Sequence, residues 1–476
     1  MSDTPQPRTP LSVLIALAAA TLTASLGISV ASVLLPTLTR DLGASVSEVQ
    51  WVVLAYLVSV TVAIVSAGRL GDLFGHRRVL IAGLIVFLAA SGLCAAAPGL
   101  GWLVTGRAVQ GLGGAILIAL PMSLARTLVP AGRLGTAMGL LGTTSAVGTA
   151  LGPSLGGLLL ALGNWRMAFW LLAGCAGITL VMAAMSITRD SRQKPVSFSD
   201  MDLPGTLVLV IALAAYALAM SGGTAGMTLP PAVLVCGAVA AIALFVIVEA
   251  RATTPLVPMA LLRDRAAGLG VAMNLAIGTV MMSTLVVGPF FLAFALGLDE
   301  ARIGLVLAVG PAVAALSGVP AGRLTDRLGA GRVMVMGLVQ TVLGLLCLAI
   351  LPRTFGVGGY VAALILLTPG FQLFLAANNT AVMAGAPADH RGRLSGLLGL
   401  SRNLGLMTGA SAMSTLFVLF LGTGDAAEAP ASDVAHAFSM TFAGAAILGM
   451  ITLGLACWSH LGGQQAPERP GGASTD

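Results

Sequence analysis

Residues Gly68–Leu80 read GRLGDLFGHRRVL, and residues Gly322–Met334 read GRLTDRLGAGRVM. Seven of the thirteen positions match: Gly, Arg, Leu, Asp, Gly, Arg and Val. Each segment stands between two long apolar runs. A second echo pairs Arg133-Leu134 with Arg393-Leu394, each opening a glycine-rich run. The offsets are 254 and 260 residues. Six apolar runs with their loops need only about 180–200 residues at ~20 residues per membrane span. The surplus between the two copies therefore holds two extra helices, 204–221 and 230–249. A duplicated set of spans is the sequence mark of a secondary transporter.

Composition agrees with a chain dissolved in lipid. Of 476 residues, 57% are hydrophobic and only 9% are charged, against roughly 25% charged in soluble domains. Mean hydropathy is +0.99. A cytosolic enzyme, a secreted disulfide protein and a disordered scaffold are excluded. A membrane β-barrel is disfavoured, because the apolar runs do not alternate. The five cysteines (Cys94, Cys175, Cys236, Cys347, Cys457) all lie in apolar runs and read as small hydrophobes. No metal or cofactor is expected. The positive charge is spread along the chain, so no nucleic-acid partner is expected.

The apolar runs number fourteen, from 11–35 through 437–460. They divide into a six-helix bundle at 11–187, a linker at 188–203, an extra hairpin at 204–249, a linker at 250–265, a second six-helix bundle at 266–460, and a tail at 461–476. With the N-terminus inside, eighteen of the 24 Lys and Arg residues fall in inner loops and tails, four in outer loops and two within spans. That bias places both termini in the cytoplasm and the chain in a plasma (bacterial inner) membrane as a multi-pass protein.

Three motifs carry chemistry. The inner loop Gly68-Arg69-Leu70-Gly71-Asp72-Leu73-Phe74-Gly75-His76-Arg77-Arg78 combines glycines for a tight turn with a carboxylate at the membrane face. Its echo supplies Asp326 and Arg332. The run Leu103-x3-Arg107-x2-Gln110-Gly111-x-Gly113-Gly114-Ala115 puts an arginine about 8 Å past Trp102 at 1.5 Å per residue. A lone arginine at depth costs at least ~2.5–3.5 kcal/mol, so it needs a cavity, a partner or a path back to the interface. The third is Gly139-x8-Gly148-x3-Gly152-Pro153-x2-Gly156-Gly157, a small-residue face that lets another helix approach closely and bend. In the second half, Ser401-Arg402-Asn403 lies about 13 Å along its helix from Arg393, near the midplane of a ~30 Å core. Asn378-Asn379-Thr380 opens the end of the preceding span.

These motifs and the duplicated halves resemble the major facilitator superfamily, in its 14-helix drug:proton antiporter branch. The resemblance covers residues 11–460. It implies an all-α membrane protein with two six-helix bundles around a central cavity. It also implies export of small amphipathic compounds (drugs, antibiotics or metabolites) by proton antiport with alternating access. Protons, the bilayer and the substrate are the implied partners, with the chain a monomer and not an enzyme. Arg107, Gln110, Asn378, Arg402 and Asn403 are the implied coupling and cavity residues. Gly68, Asp72, Gly75, Arg77, Asp326 and Arg332 are the implied gating residues, with Asp72 against the start of the helix at 395 and Asp326 against the start of the helix at 136. The complete glycine pattern of the fifth span marks exporters in that family, which leaves a facilitator importing a small metabolite as the alternative.

The sequence departs from the family where it matters for charge. Gly27 and Leu54 stand where many relatives carry acids. None of the 18 acidic residues falls in a span interior; Glu249 comes nearest, at the end of its helix. Two deep arginines without a deep acid favour neutral or anionic amphiphiles over cations.

Overall fold

Lipid offers a backbone no hydrogen bonds, so an apolar run of about 20 residues is stable there only when it satisfies its own amides as a helix. The computed structural model follows that rule and describes residues 11–129, 134–187, 203–220, 231–251, 264–384, 391–422 and 426–463. All regular structure among them is helical. The first half holds α1 (Leu11–Leu42), α2 (Trp51–Phe74), α3 (His76–Ala95), α4 (Leu100–Leu128), α5 (Leu134–Leu162) and α6 (Arg166–Ser186). Then come α7 (Leu203–Met220) and α8 (Pro231–Arg251). The second half opens with α9 (Arg265–Val286), prolonged by a π-turn at Phe291–Ala295, and α10 (Glu300–Leu328). A continuous 55-residue segment, Ala330–Ala384, turns back at Gly356 (φ 54°), giving α11 (330–355) and α12 (357–384). The half closes with α13 (Arg391–Leu421) and α14 (Ala431–Gly463). Among the described residues, eleven helices are long and apolar enough to cross a membrane; Ala330–Ala384 is one of these and supplies two of the expected spans. The pair α7 and α8 stands outside that set, at the place of the extra hairpin.

The duplication is visible in the backbone. Gly75 (φ 93°) and Gly329 (φ 83°) occupy equivalent places in the two repeat segments, and each makes a left-handed turn that any other residue would strain. The expectation of a glycine-rich loop needs correction here. The helix runs unbroken through Gly68, Gly71 and Phe74 to the single turn at Gly75, and in the second copy through Leu328 to Gly329. One positive-φ residue suffices to reverse the chain, and Gly68 faces open space.

Helix crossings repeat as well. A Cβ on Gly113 of α4 would sit 2.8 Å from the Gly83 carbonyl oxygen of α3, and one on Gly337 of α11 would sit 2.8 Å from the Gly370 carbonyl oxygen of α12. In the first half α1 packs along α5, and in the second α9 packs along α13. The halves meet mainly where α5 lies along α10, with a smaller contact of α2 on α13. Helix α7 leans on both α2 and α13, and the Tyr216 hydroxyl lies 2.8 Å from that of Thr408.

Gly113→Ala should destabilise the protein by about 1–3 kcal/mol through overpacking against backbone. Gly92→Ala, where the new methyl meets nothing within 4 Å, should be neutral or slightly stabilising from helix propensity. Thermal unfolding of the two variants in detergent checks the difference; equal midpoints would refute close packing at this crossing.

Candidate functional site

Burying a guanidinium requires acceptors for its donors. Arg107, fully buried on α4, finds them for Nε and Nη1, while its Nη2 has no hydrogen-bond partner among the described residues. Its Nε donates to the Val52 carbonyl at 2.8 Å and its Nη1 to the Gly27 carbonyl at 2.9 Å; Nη1 also donates to Gln110 Oε1. The Gln110 amide then donates to Ser91 Oγ at 2.7 Å, and the Tyr56 ring lies 4.2 Å from the guanidinium carbon. Gly27 contributes by lacking a side chain: a Cβ there would stand 2.9 Å from the tip of Phe87 and 3.3 Å from the Tyr56 hydroxyl. The carbonyl of Gly27 thus takes the place of the acid that the family resemblance leads one to expect. The expectation that Arg107 and Gln110 open on the space between the bundles is therefore corrected. Both are sealed inside the first half, where α1 and α2 supply the oxygens that water would otherwise provide.

The glycine face of α5 serves two neighbours. Gly148, Gly152 and Gly156 abut α1 at Leu22, Ser29 and Val33. Gly157 and Pro153 instead meet α10: a Cβ on Gly157 would overlap the Glu300 carbonyl and fall 2.9 Å from Gly304 Cα, while one on Gly304 would overlap the Pro153 carbonyl. This is backbone-to-backbone contact between the two halves, at the end of the molecule that carries the 163–165 and 297–299 turns. The same end holds Arg40 of the first half 4.8 Å above the Phe294 ring of the second.

Beyond that contact, between α5 and the helices α9, α10, α12 and α13, lies a cavity of about 310 Å³. Ser145 and Thr149 line it from the first half. Thr284, Tyr360, Thr368, Phe371, Gln372 and Arg402 line it from the second, with Leu and Met between them. Arg402 is exposed to this space. Thr368 and Gln372 share one face of α12, four residues apart, with Leu364 and Leu375.

The other expected residues fall elsewhere. Asn378 is buried between α12 and α9, its amide donating to the Gly270 carbonyl at 3.1 Å. Asn403 is half-buried and does not line the cavity. Arg77 ties the start of α3 to the end of α6, donating to the carbonyls of Ile187 at 2.6 Å and Ala184 at 2.9 Å, the favourable place for a cation. Asp326 and Arg332 are exposed. The side chain of Asp72 and the surroundings of Gly139 lie outside the described residues. Sequence reasoning missed Asn274, whose amide donates to the Leu398 carbonyl at 2.7 Å and Ser401 Oγ at 2.9 Å. It also missed the polar stripe of α12. A lone polar residue in an apolar run is the signal that marks both.

Comparison with known proteins decides the family. The model of the Major Facilitator Superfamily matches residues 17–410 and again 269–473. The chain belongs to the Major Facilitator Superfamily. Transporter YebQ of Escherichia coli, itself uncharacterised, is 32% identical over 394 residues, covering 82% of this chain and 86% of its own. The tetracenomycin C resistance and export protein of Streptomyces glaucescens is 28% identical over 425 residues, covering 87% and 77%. A crystal structure of a peptide transporter with sulfate superposes at a TM-score of 0.70 with 16% identity, over 94% of each chain, which speaks to the fold alone. This member of the superfamily is a multi-pass membrane transporter of small molecules.

Arg107→Leu should cost about 1–3 kcal/mol by leaving acceptors unpaired in a dry core. Arg107→Lys should recover little, since one ammonium on a flexible stem cannot span Val52, Gly27 and Gln110 together. Thermal unfolding midpoints check both; a Lys variant as stable as the unsubstituted protein would contradict the fork geometry.

Proposed function

We propose that this facilitator exports small amphipathic compounds by alternating access, driven by the proton-motive force. The observation that carries the reading is the pairing of a backbone-tight contact at Gly157 and Gly304 with a polar and aromatic cavity immediately beyond it. With the termini in the cytoplasm, as the charge bias favours, the closed end is the outer one and the conformation is inward-facing. The exposed Asp326 fits that state, because the inner gate contacts of Asp72 and Asp326 belong to the outward-facing one. We further place the chain in the bacterial inner membrane as a monomer with fourteen crossings, α7 and α8 forming the extra hairpin between linkers at 188–203 and 250–265. Arg402 and the polar stripe of α12 form the substrate site in this reading, with Asn403 beside it. Arg107, Gln110 and Asn378 brace the helices that frame it. The likeness to an antibiotic resistance and export protein supports an exporter over an importer.

Everted membrane vesicles containing the protein should accumulate an amphipathic drug when energised, and a protonophore should abolish accumulation. Accumulation that survives the protonophore would refute secondary active export. Asp72→Asn should lower transport at least tenfold while leaving the protein folded and inserted; normal turnover would remove it from the gate. In a background lacking the five cysteines, Glu428→Cys should react with a membrane-impermeant maleimide from outside intact cells. Labelling only in inside-out vesicles would reverse the topology.

A further inference from the structure

A transporter that returns empty must carry through the membrane whatever fixed charge its site holds. Arg402 supplies one positive charge to the cavity, and no Asp, Glu or His lines the same space among the described residues. Its guanidinium has no hydrogen-bond or ion-pair partner among them. The described acids sit at helix ends, Asp264 and Asp299 as caps of α9 and α10. Tyr360 also belongs to the cavity wall, but its hydroxyl is fully buried against Gly288 and faces no open space. Phe371 and Leu364 also line the space. A free guanidinium and an apolar wall together describe a receptor for an organic anion with an apolar body.

We propose that the cavity binds small amphipathic monoanions at Arg402, and that the membrane potential alone, without a proton gradient, drives their export. The proposal rests on the export reading and specifies its substrate class and energy source. With the anion bound, the site is neutral and crosses the membrane at little electrostatic cost. Once the anion is released outside, Arg402 is again a bare charge, and a negative interior draws the empty site back to face the cytoplasm. Each cycle moves one negative charge outward, and 100 mV then sustains roughly a 50-fold gradient of a monoanion. No protein carboxylate is needed in the cavity to carry a proton, because the substrate carries the charge that responds to the field.

The test uses the full chain in liposomes, at equal pH on both sides, with the potential set by potassium and valinomycin. The probes are 1-naphthalenesulfonate, a monoanion, and N-methylquinolinium, a cation of similar ring size. We expect the sulfonate to accumulate on the positive side, approaching roughly 50-fold at 100 mV and vanishing at zero potential, while the cation does not move. Arg402→Gln should lower sulfonate movement at least tenfold and Arg402→Lys should restore part of it; where Arg402→Gln does not fold, the voltage dependence of the unsubstituted protein decides. Sulfonate accumulation that requires a pH gradient and ignores the potential overturns the proposal. So does movement of the cation in place of the anion, which leaves the export reading standing. Immobility of both probes, with drug efflux from everted vesicles intact, overturns the anion proposal alone; loss of that efflux too overturns the export reading with it.

Discussion

Between helices in a membrane the hydrophobic effect supplies no attraction, because lipid tails are as apolar as leucine. Assembly depends on how closely backbones can approach, and this protein places glycine at each crossing that matters. Gly83 meets Gly113, Gly337 meets Gly370, and Gly278 meets Gly405. The contact between Gly157 and Gly304 is of the same kind, yet it joins the two halves rather than the helices of one. A contact between halves must open if the protein is to alternate. Glycine suits that duty, since it forms a tight seal without interlocking side chains that would have to be withdrawn.

The two deep arginines show how one residue type serves opposite ends. Arg107 is fixed: Val52, Gly27, Gln110 and Tyr56 surround it, and it is fully buried. Its charge is answered by carbonyl dipoles of α1 and α2, so it binds those helices to α4. Arg402 faces the cavity, and its guanidinium has no such partner among the described residues. The difference lies in the neighbours, not in the depth. Gly27 opens a carbonyl to Arg107, while the backbone beside Arg402 is engaged in the α9–α13 crossing, with the Arg402 carbonyl itself 2.9 Å from where a Gly278 Cβ would stand.

Much of the fold was legible in the sequence because the bilayer enforces length and polarity. Each run of about 20 apolar residues became a helix, and the repeat at Gly68 and Gly322 located two equivalent turns at Gly75 and Gly329. Helix ends were less legible. Nothing in an apolar pattern says that α1 continues to Leu42 or that α2 runs on to Phe74, since a helix leaving the membrane keeps its hydrogen bonds. The site was legible only in part. Arg402 stood out because charge is rare at depth. The enclosure of Arg107 did not, because the oxygens of Val52 and Gly27 belong to the backbone and leave no mark on residue type. Thr368 and Gln372 gain meaning from the face of α12 they share, which depends on how that helix is turned against α10 and α13.

Duplication therefore produced a symmetric scaffold with asymmetric chemistry. The crossings, the turns and the pairing of α1 with α5 and α9 with α13 are repeated. The charges are not. The first half uses its arginine to hold itself together and, among the described residues, offers the cavity Ser145, Thr149 and Gly142. The second half supplies the guanidinium of Arg402, the amide of Gln372 and the ring of Phe371 to the cavity wall. A rocking mechanism requires two similar rigid bodies, and glycine crossings repeated in each provide them. Recognition requires only one of the bodies to present the polar groups. The other must slide past without binding them, and a wall of small and hydroxylated residues on α5 meets that condition.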